Sequence, residues 1–162
     1  MALTKVIGSG LGTVTSQFSS SNIPAGGVIQ VVEGTLTSQF STTSTSYTDV
    51  GLSVAITPND DNNKIALLAT FSLYHSGAYI YCTINKNHSG ISDTNLEPNS
   101  GAGLAQLHAG GNQGDPSCIA LLDSPATTNE VTYRVRMKVQ SGTGYLGINS
   151  CASFLRAMEI VV

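Results

Sequence analysis

Charged residues are scarce in this chain of 162 residues. Asp, Glu, Lys and Arg make up 10% of it, against about 25% in ordinary soluble domains. With 7 Lys and Arg, 10 Asp and Glu and a net charge of −3, the sequence lacks the basic surface that is typical of nucleic-acid-binding domains. We therefore expect no free DNA or RNA partner.

Long apolar runs are also absent. No stretch reaches the roughly 18 consecutive apolar residues of a membrane span. The opening MALTKVIGSGLG has glycines after its one Lys, where a signal peptide has an apolar segment. We expect neither membrane insertion nor secretion, and we expect the chain to fold in the cytoplasm of the cell that makes it.

Cysteines are few and lie far apart. Cys82, Cys118 and Cys151 form no CxxC or CxxH pair, so the spacing indicates neither a zinc site nor a redox motif. Unpaired Cys is among the most often buried residue types. The sequence therefore predicts three buried free thiols.

Short strand patterns, separated by Ser, Thr, Asn, Gly and Pro, fill the sequence from residue 27 onward. The segment 131–139 alternates apolar and polar residues without a break, which predicts a half-buried strand. The segment 64–74 is the longest apolar strand pattern and is expected to be central and covered on both sides. About eight or nine such segments without an amphipathic helix favour an all-β fold, an antiparallel two-sheet sandwich that is jelly-roll-like.

The first 26 residues have a different composition. Gly8, Gly10 and Gly12 interrupt any regular element. We expect residues 1–26 to form an extended N-terminal arm that attaches to a partner, and residues 27–162 to form the sandwich. The arm residues expected to make the contact are Leu3, Lys5, Val6, Ile7, Leu11 and Phe18.

A long region between residues 86 and 115 is rich in Gly, Asn, Ser and His and is expected to be a loop. His88 and His108 fall in it, and His75 ends the preceding strand. None of them has HxH or HxxxH spacing, so solvated loop histidines are favoured over metal ligands.

No catalytic group emerges from the motifs. The run GAGLAQ lacks the third glycine of a dinucleotide-binding loop, and no GxSxG motif fixes a nucleophile. Asn59, Asp61 and Asn63 have the alternation of calcium ligands, but the Gly and the later Glu of such a loop are missing. Asp93, Glu97 and Asp115 share the long loop without a paired acidic motif. We expect no enzyme activity, no catalytic residues, no cofactor and no metal.

One strand face is basic. Arg134, Arg136 and Lys138 alternate along 131–139, and this pattern has two interpretations. The row either lies on a solvated or edge strand, protected against aggregation by charge, or it contacts an acidic partner surface or a neighbouring subunit. Tyr79 and Tyr81 alternate in the same way and are expected at a surface or a subunit contact, with Tyr145 as a further candidate.

The stretch 41–73, STTSTSYTDVGLSVAITPNDDNNKIALLATFSL, resembles a pattern in virion proteins of tailed bacteriophages. In that pattern a Ser/Thr run leads to Tyr47 and Asp49, then to Gly51-Leu52-Ser53. A strand ending in Ile56-Thr57-Pro58 follows, and after a polar turn Lys64-Ile65 opens an apolar strand. The opening MALTKVIGSG and the segment 23–32 are similar to the starts of such chains.

This resemblance implies a small homotrimeric jelly-roll or TNF-like body in a capsid decoration, cement or tail-fibre protein. The implied partners are other copies of the chain and the major capsid protein or another virion component. The implied location is the particle surface, after assembly in the host cytoplasm. The alternative is a tail-fibre or receptor-binding module that uses the 86–115 loop to bind a host-surface glycan.

Overall fold

The computed structural model describes residues 23–75, 79–89, 91–97, 101, 103–108 and 113–162, and these residues form an almost entirely β structure. A single 3₁₀ turn, Ile148–Ser150, is the one helical element in the described ranges. No helix in these ranges is long and apolar enough to cross a membrane.

Eleven strands run through the described part of the chain. Their bounds are β1 Val28–Leu36, β2 Phe40–Thr42, β3 Thr48–Ile56, β4 Lys64–His75, β5 Tyr79–His88, β6 Ile91–Asn95, β7 Ala105–His108, β8 Gln113–Asp123, β9 Val131–Val139, β10 Gly144–Leu146 and β11 Ser153–Ile160.

The strands form two antiparallel sheets. In the first sheet, β4 pairs with β8 on one side and, on its other side, with β11 along its first half and β10 along its end. Strand β1 continues this sheet beyond β11, and β2 continues it beyond β10. The second sheet has the order β3-β9-β5, with β6 and β7 both on the far edge of β5.

This order is that of a jelly roll. If β6 and β7 count as one interrupted strand and the short β2 and β10 are set aside, eight main strands remain. Numbered 1 to 8 along the chain, these strands lie side by side in the order 1-8-3-6 in the first sheet. In the second sheet their order is 2-7-4-5. Two interleaved Greek keys produce this arrangement. The prediction of a two-sheet, jelly-roll-like sandwich is confirmed.

Period-two alternation of apolar residues builds the core between the sheets. Every second residue of β3, β4 and β9 is buried, because successive side chains of a strand point to opposite faces. The two sheets approach each other closely where β1 packs against β3. There Gly34 faces the backbone of β3, and a Cβ at this position would overlap the carbonyl oxygen of Ser53.

The polar turn between β3 and β4 lies at one end of the core. Asn59 donates to Glu159 from its backbone N–H (2.7 Å) and its side-chain amide (2.8 Å), and the Asn63 amide donates to the same carboxylate (2.7 Å). Glu159 is fully buried. The predicted polar turn is confirmed, and its asparagines hold a buried carboxylate in place.

Two expectations about these strands are wrong, and one alternative for β9 is excluded. Strand β4 is central, but its outward side chains are only half-buried, because no second layer covers that face among the described residues. For β9 the edge position is excluded, since β3 and β5 flank it, but its outward side chains are partly exposed. The 86–115 region is not one long loop, because β5 extends through His88 and the strands β6, β7 and the start of β8 lie within it.

Two of the three cysteines also differ from expectation. Cys82 is buried on β5, as predicted, and burial raises the pKa of its thiol. Cys118 and Cys151 are free and exposed. Cys118 is out of phase with the buried residues of β8, so its side chain points outward.

Candidate interaction surface

The residues that the sequence singled out on β5 and β9 lie together on the outward side of the second sheet. Cross-strand pairing places Tyr81 beside Lys138, and Arg136 beside Asp49 of β3. We call this outward side of β3, β9, β5 and β6 the polar face.

Two arginines and two aspartates occupy the middle of the polar face. Arg136 Nε lies 2.6 Å from Asp49 Oδ1, and its Nη2 lies 3.5 Å from Asp93 Oδ2. Arg134 Nη1 lies 3.6 Å from both Asp49 Oδ2 and Asp93 Oδ1. The four side chains are 22–44% exposed. Partly exposed ion pairs of this kind contribute about 0–1 kcal/mol each, so they position the side chains more than they stabilise the fold.

Lys138 lies between two aromatic rings. Its Nζ is 4.5 Å from the ring centroid of Tyr47 and 5.2 Å from that of Tyr81. Both distances are within the range of cation–π attraction. Tyr79 stacks against Tyr81 with ring centroids 6.0 Å apart, so three tyrosines and one ammonium group form a continuous patch.

Glu97 connects Tyr47 of this patch to the segment that precedes β7. Its Oε2 accepts a hydrogen bond from the Tyr47 hydroxyl (2.9 Å) and another from the Gly103 backbone N–H (2.7 Å). Its Oε1 accepts from the Gly101 N–H (3.1 Å). Burial, followed by the hydrogen bond to Glu97, raises the pKa of Tyr47 above its usual value. The Tyr47 hydroxyl therefore keeps its proton, and its hydrogen bond to Glu97, at alkaline pH values at which an unperturbed tyrosine with a pKa near 10 would ionise.

The structure brings together five of the residues predicted to bind a partner, namely Tyr79, Tyr81, Arg134, Arg136 and Lys138. The acidic groups that meet the two arginines belong to this same chain, which the spacing of the basic row alone did not reveal. That these residues also contact another chain stays a prediction. The other predicted contact residues, Leu3, Lys5, Val6, Ile7, Leu11 and Phe18, lie outside the described residues.

A buried charged cluster inside the sandwich was not predicted from the sequence. Lys86 Nζ lies 2.9 and 3.0 Å from the two oxygens of Asp123. The Tyr133 hydroxyl donates to Asp123 Oδ2 at 2.8 Å. On β5, Lys86 follows Ile80, Cys82 and Ile84 at every second position, so its side chain points inward with theirs. The period-two pattern could therefore have predicted that Lys86 is buried.

Several polar side chains of β5 are buried, although such side chains are usually exposed. Thr83 and Asn85 are fully buried and His88 is 8% exposed. The prediction that His88 is a solvated loop histidine is therefore wrong. His75 is also buried, with Nε2 at 2.7 Å from the carbonyl oxygen of Ser141. Among the described residues, no three His, Cys, Asp or Glu side chains come close enough to hold a metal ion.

No protein-family model and no curated protein matches this sequence. Two solved structures are similar at a coarse level. One is the structure of infectious bursal disease virus Gx strain, with 14% identity and a TM-score of 0.42, covering 82% of this chain and 37% of that chain. The other is the VP2 subviral particle of infectious bursal disease virus, with 11% identity and a TM-score of 0.38, covering 82% of this chain and 38% of that chain.

This chain thus spans less than two fifths of the length of either viral chain. At this level of similarity neither structure assigns a function to it.

Proposed function

We propose that this chain is a non-enzymatic structural protein of a bacteriophage virion. In this proposal it forms a homotrimer that decorates or cements the capsid and is attached through its N-terminal arm, residues 1–26. Its partners are other copies of itself and the major capsid protein or another virion component. It needs no cofactor, and it assembles in the host cytoplasm before it takes its place on the particle surface.

The observation that carries this proposal is the place of the phage-like stretch 41–73 in the fold. It forms β3, the polar turn and β4, the unit that passes from the second sheet to the first. Gly51 has a φ of +86° where the pairing of β3 with β9 shifts register, a conformation that glycine adopts without strain. Tyr47 and Asp49 bind Glu97 and Arg136. The residues of the pattern therefore have structural roles in this sandwich, as expected of a structural protein.

The end of the arm is close to the C-terminal strand. The Gly26 N–H donates to the carbonyl oxygen of Val161 (2.8 Å), and the Val161 N–H donates to that of Gly27 (3.0 Å). These bonds tie the junction of arm and sandwich to the end of β11. A force transmitted through an attached arm would therefore reach the first sheet directly.

Binding to undecorated phage particles tests the attachment. We expect the full chain to sediment with the particles and a variant lacking residues 1–26 to remain in the supernatant. The circular dichroism spectra of the two should both show β structure, since the deletion ends before β1. Equal binding of the two proteins would contradict attachment through the arm.

The polar face favours a second candidate function, a receptor-binding module of a tail fibre that recognises a host-surface glycan. Stacked tyrosines beside Asn, Asp and Arg side chains offer a sugar aromatic rings to stack on and groups that form hydrogen bonds. Adsorption to host cells separates the two functions. A decoration protein binds capsids and leaves cells uncoated, whereas a receptor-binding module coats cells.

A further inference from the structure

The outward side of the first sheet carries a straight apolar row. Val31 pairs with Met158, Met158 with Ala66, and Ala66 with Leu122, so the row crosses β1, β11, β4 and β8. Val31 is 58% exposed and Leu122 is 54% exposed. We call the outward side of these four strands the apolar face.

A groove continues the apolar face along β4. It has a volume of about 400 Å³ and is lined by Thr70, Phe154, Cys118 and Cys151, among others. Beyond it, Tyr74 and Tyr145 pack with their ring centroids 5.6 Å apart. Aromatic and apolar surface therefore extends along the face from the row at Ala66 to the end of β4.

The charges on the apolar face largely cancel within the chain. Glu33 and Arg156 form an ion pair in the row next to Val31. The polar face carries a larger set of ion pairs, formed by Arg134, Arg136, Asp49 and Asp93. The two outer sides of the sandwich thus differ, because covering the apolar face removes water from apolar side chains and requires fewer charged groups to lose their hydration.

The apolar face is large enough to form the centre of a subunit contact. Four strands about 4.8 Å apart and about ten residues long, at about 3.3 Å per residue, cover roughly 600 Å². A standard interface buries about 800 Å² per partner, so a contact of that size also needs residues at the rim of the face. A largely apolar surface suits contact with other copies, and every copy of the chain provides one.

We propose that the apolar face is the surface through which copies of this chain pack against each other. This inference rests on the homotrimer of the proposed function and names its contact. In a threefold trimer the contact is heterologous, so one part of the apolar face packs against one neighbour and another part packs against the other. The contact buries Val31, Leu122 and Met158 and covers the groove that contains the thiols of Cys118 and Cys151.

The test is the mass of the protein in solution. We expect the wild-type chain to sediment as a trimer at micromolar concentration. Leu122→Glu places a carboxylate in the contact without disturbing the core, because Leu122 points outward. This variant should dissociate, with an association constant lower by at least about tenfold, since each 1.4 kcal/mol of lost affinity is a factor of ten.

A matched control places the same charge on the other outer side. Ala55 is exposed on β3 and points outward from the second sheet, so Ala55→Glu should leave the trimer intact. A trimer in Leu122→Glu, or equal dissociation of the two variants, would overturn the inference while leaving the proposed homotrimer in place. A wild-type monomer would overturn both. Circular dichroism of each variant shows that a change in mass does not come from unfolding.

Thiol labelling with iodoacetamide provides a second readout. In the dissociated Leu122→Glu variant we expect Cys118 and Cys151 to react and Cys82 to remain unmodified. In the wild-type trimer the first two should react at least about tenfold more slowly, a factor equivalent to 1.4 kcal/mol of protection. Equal rates in trimer and monomer would place the contact elsewhere on the molecule.

Discussion

At the scale of single residues, the charged pair Lys86 and Asp123 is the most demanding feature of the core. Their side chains are 11% and 10% exposed, so both charges have lost most of their hydration. The two hydrogen bonds between them and the bond from Tyr133 offset that loss. Because Lys86 lies on β5 and Asp123 on β8, the pair links one sheet to the other.

Removing one partner of this pair should destabilise the protein strongly. Asp123→Ala leaves the Lys86 ammonium buried without its counter-ion, which typically costs about 3–5 kcal/mol. We expect a loss of that size in the free energy of unfolding, measured by urea denaturation. The double variant Lys86→Met with Asp123→Leu buries no charge and should lose much less. A single variant within about 0.5 kcal/mol of wild type, the range of ordinary surface substitutions, would contradict the role given to the pair.

Alkaline pH should act through Tyr133. Burial, and then the negative charge of Asp123, raises the pKa of its hydroxyl above the usual value. The unfolded chain loses this proton near pH 10 while the folded chain retains it. The stabilisation from Tyr133 is therefore complete below about pH 10 and declines as the pH rises further, by up to about 1.4 kcal/mol per pH unit.

Urea denaturation at a series of pH values measures this effect. The free energy of unfolding of wild type should fall more steeply above about pH 10 than that of Tyr133→Phe, which has no proton to lose at this position. Tyr47→Phe is a useful comparison, because the pKa of Tyr47 is raised in the same direction. Identical slopes for wild type and Tyr133→Phe would show that the Tyr133 hydroxyl does not contribute to alkaline unfolding.

At the scale of strands, strand positions were predicted best where one face of the strand is buried and the other is exposed to solvent. Strands β3, β4 and β9 alternate strictly; the positions of β4 and β9 and the end of β3 at Ile56 were predicted correctly. Strands β6 and β7 were missed because they are short and, among the described strands, pair with the edge of β5. Local pattern does not encode which strands become neighbours. For the same reason, neither the central place of β9 nor the in-chain partners of Arg134 and Arg136 could be predicted.

The crossing of β1 over β3 yields a prediction for the strands. Gly34→Ala adds a Cβ that meets the carbonyl oxygen of Ser53, and backbone atoms can move aside only by shifting a strand. Overpacking of this kind typically costs about 1–3 kcal/mol. We expect thermal unfolding of Gly34→Ala at a clearly lower temperature than wild type. Thr35→Ala, at the next residue and on the exposed side of β1, should unfold close to wild type.

At the scale of the whole molecule, the two outer sides of the sandwich have different chemistry. The apolar face suits contact between copies, and the polar face, with its ion pairs and stacked tyrosines, suits water or a polar ligand. The junction of arm and sandwich is bonded to the end of β11. In our account, one surface builds the trimer, the arm attaches it, and the polar face remains on the outside of the particle.

Electron microscopy of phage particles treated with a gold-labelled antibody against this chain tests the central claim most directly. Our account predicts gold over the heads of intact particles and none over heads of particles assembled without the chain. Gold confined to the tails would contradict the capsid location and favour the receptor-binding function. Particles without gold, prepared from lysates that contain the protein, would contradict a structural role in the virion.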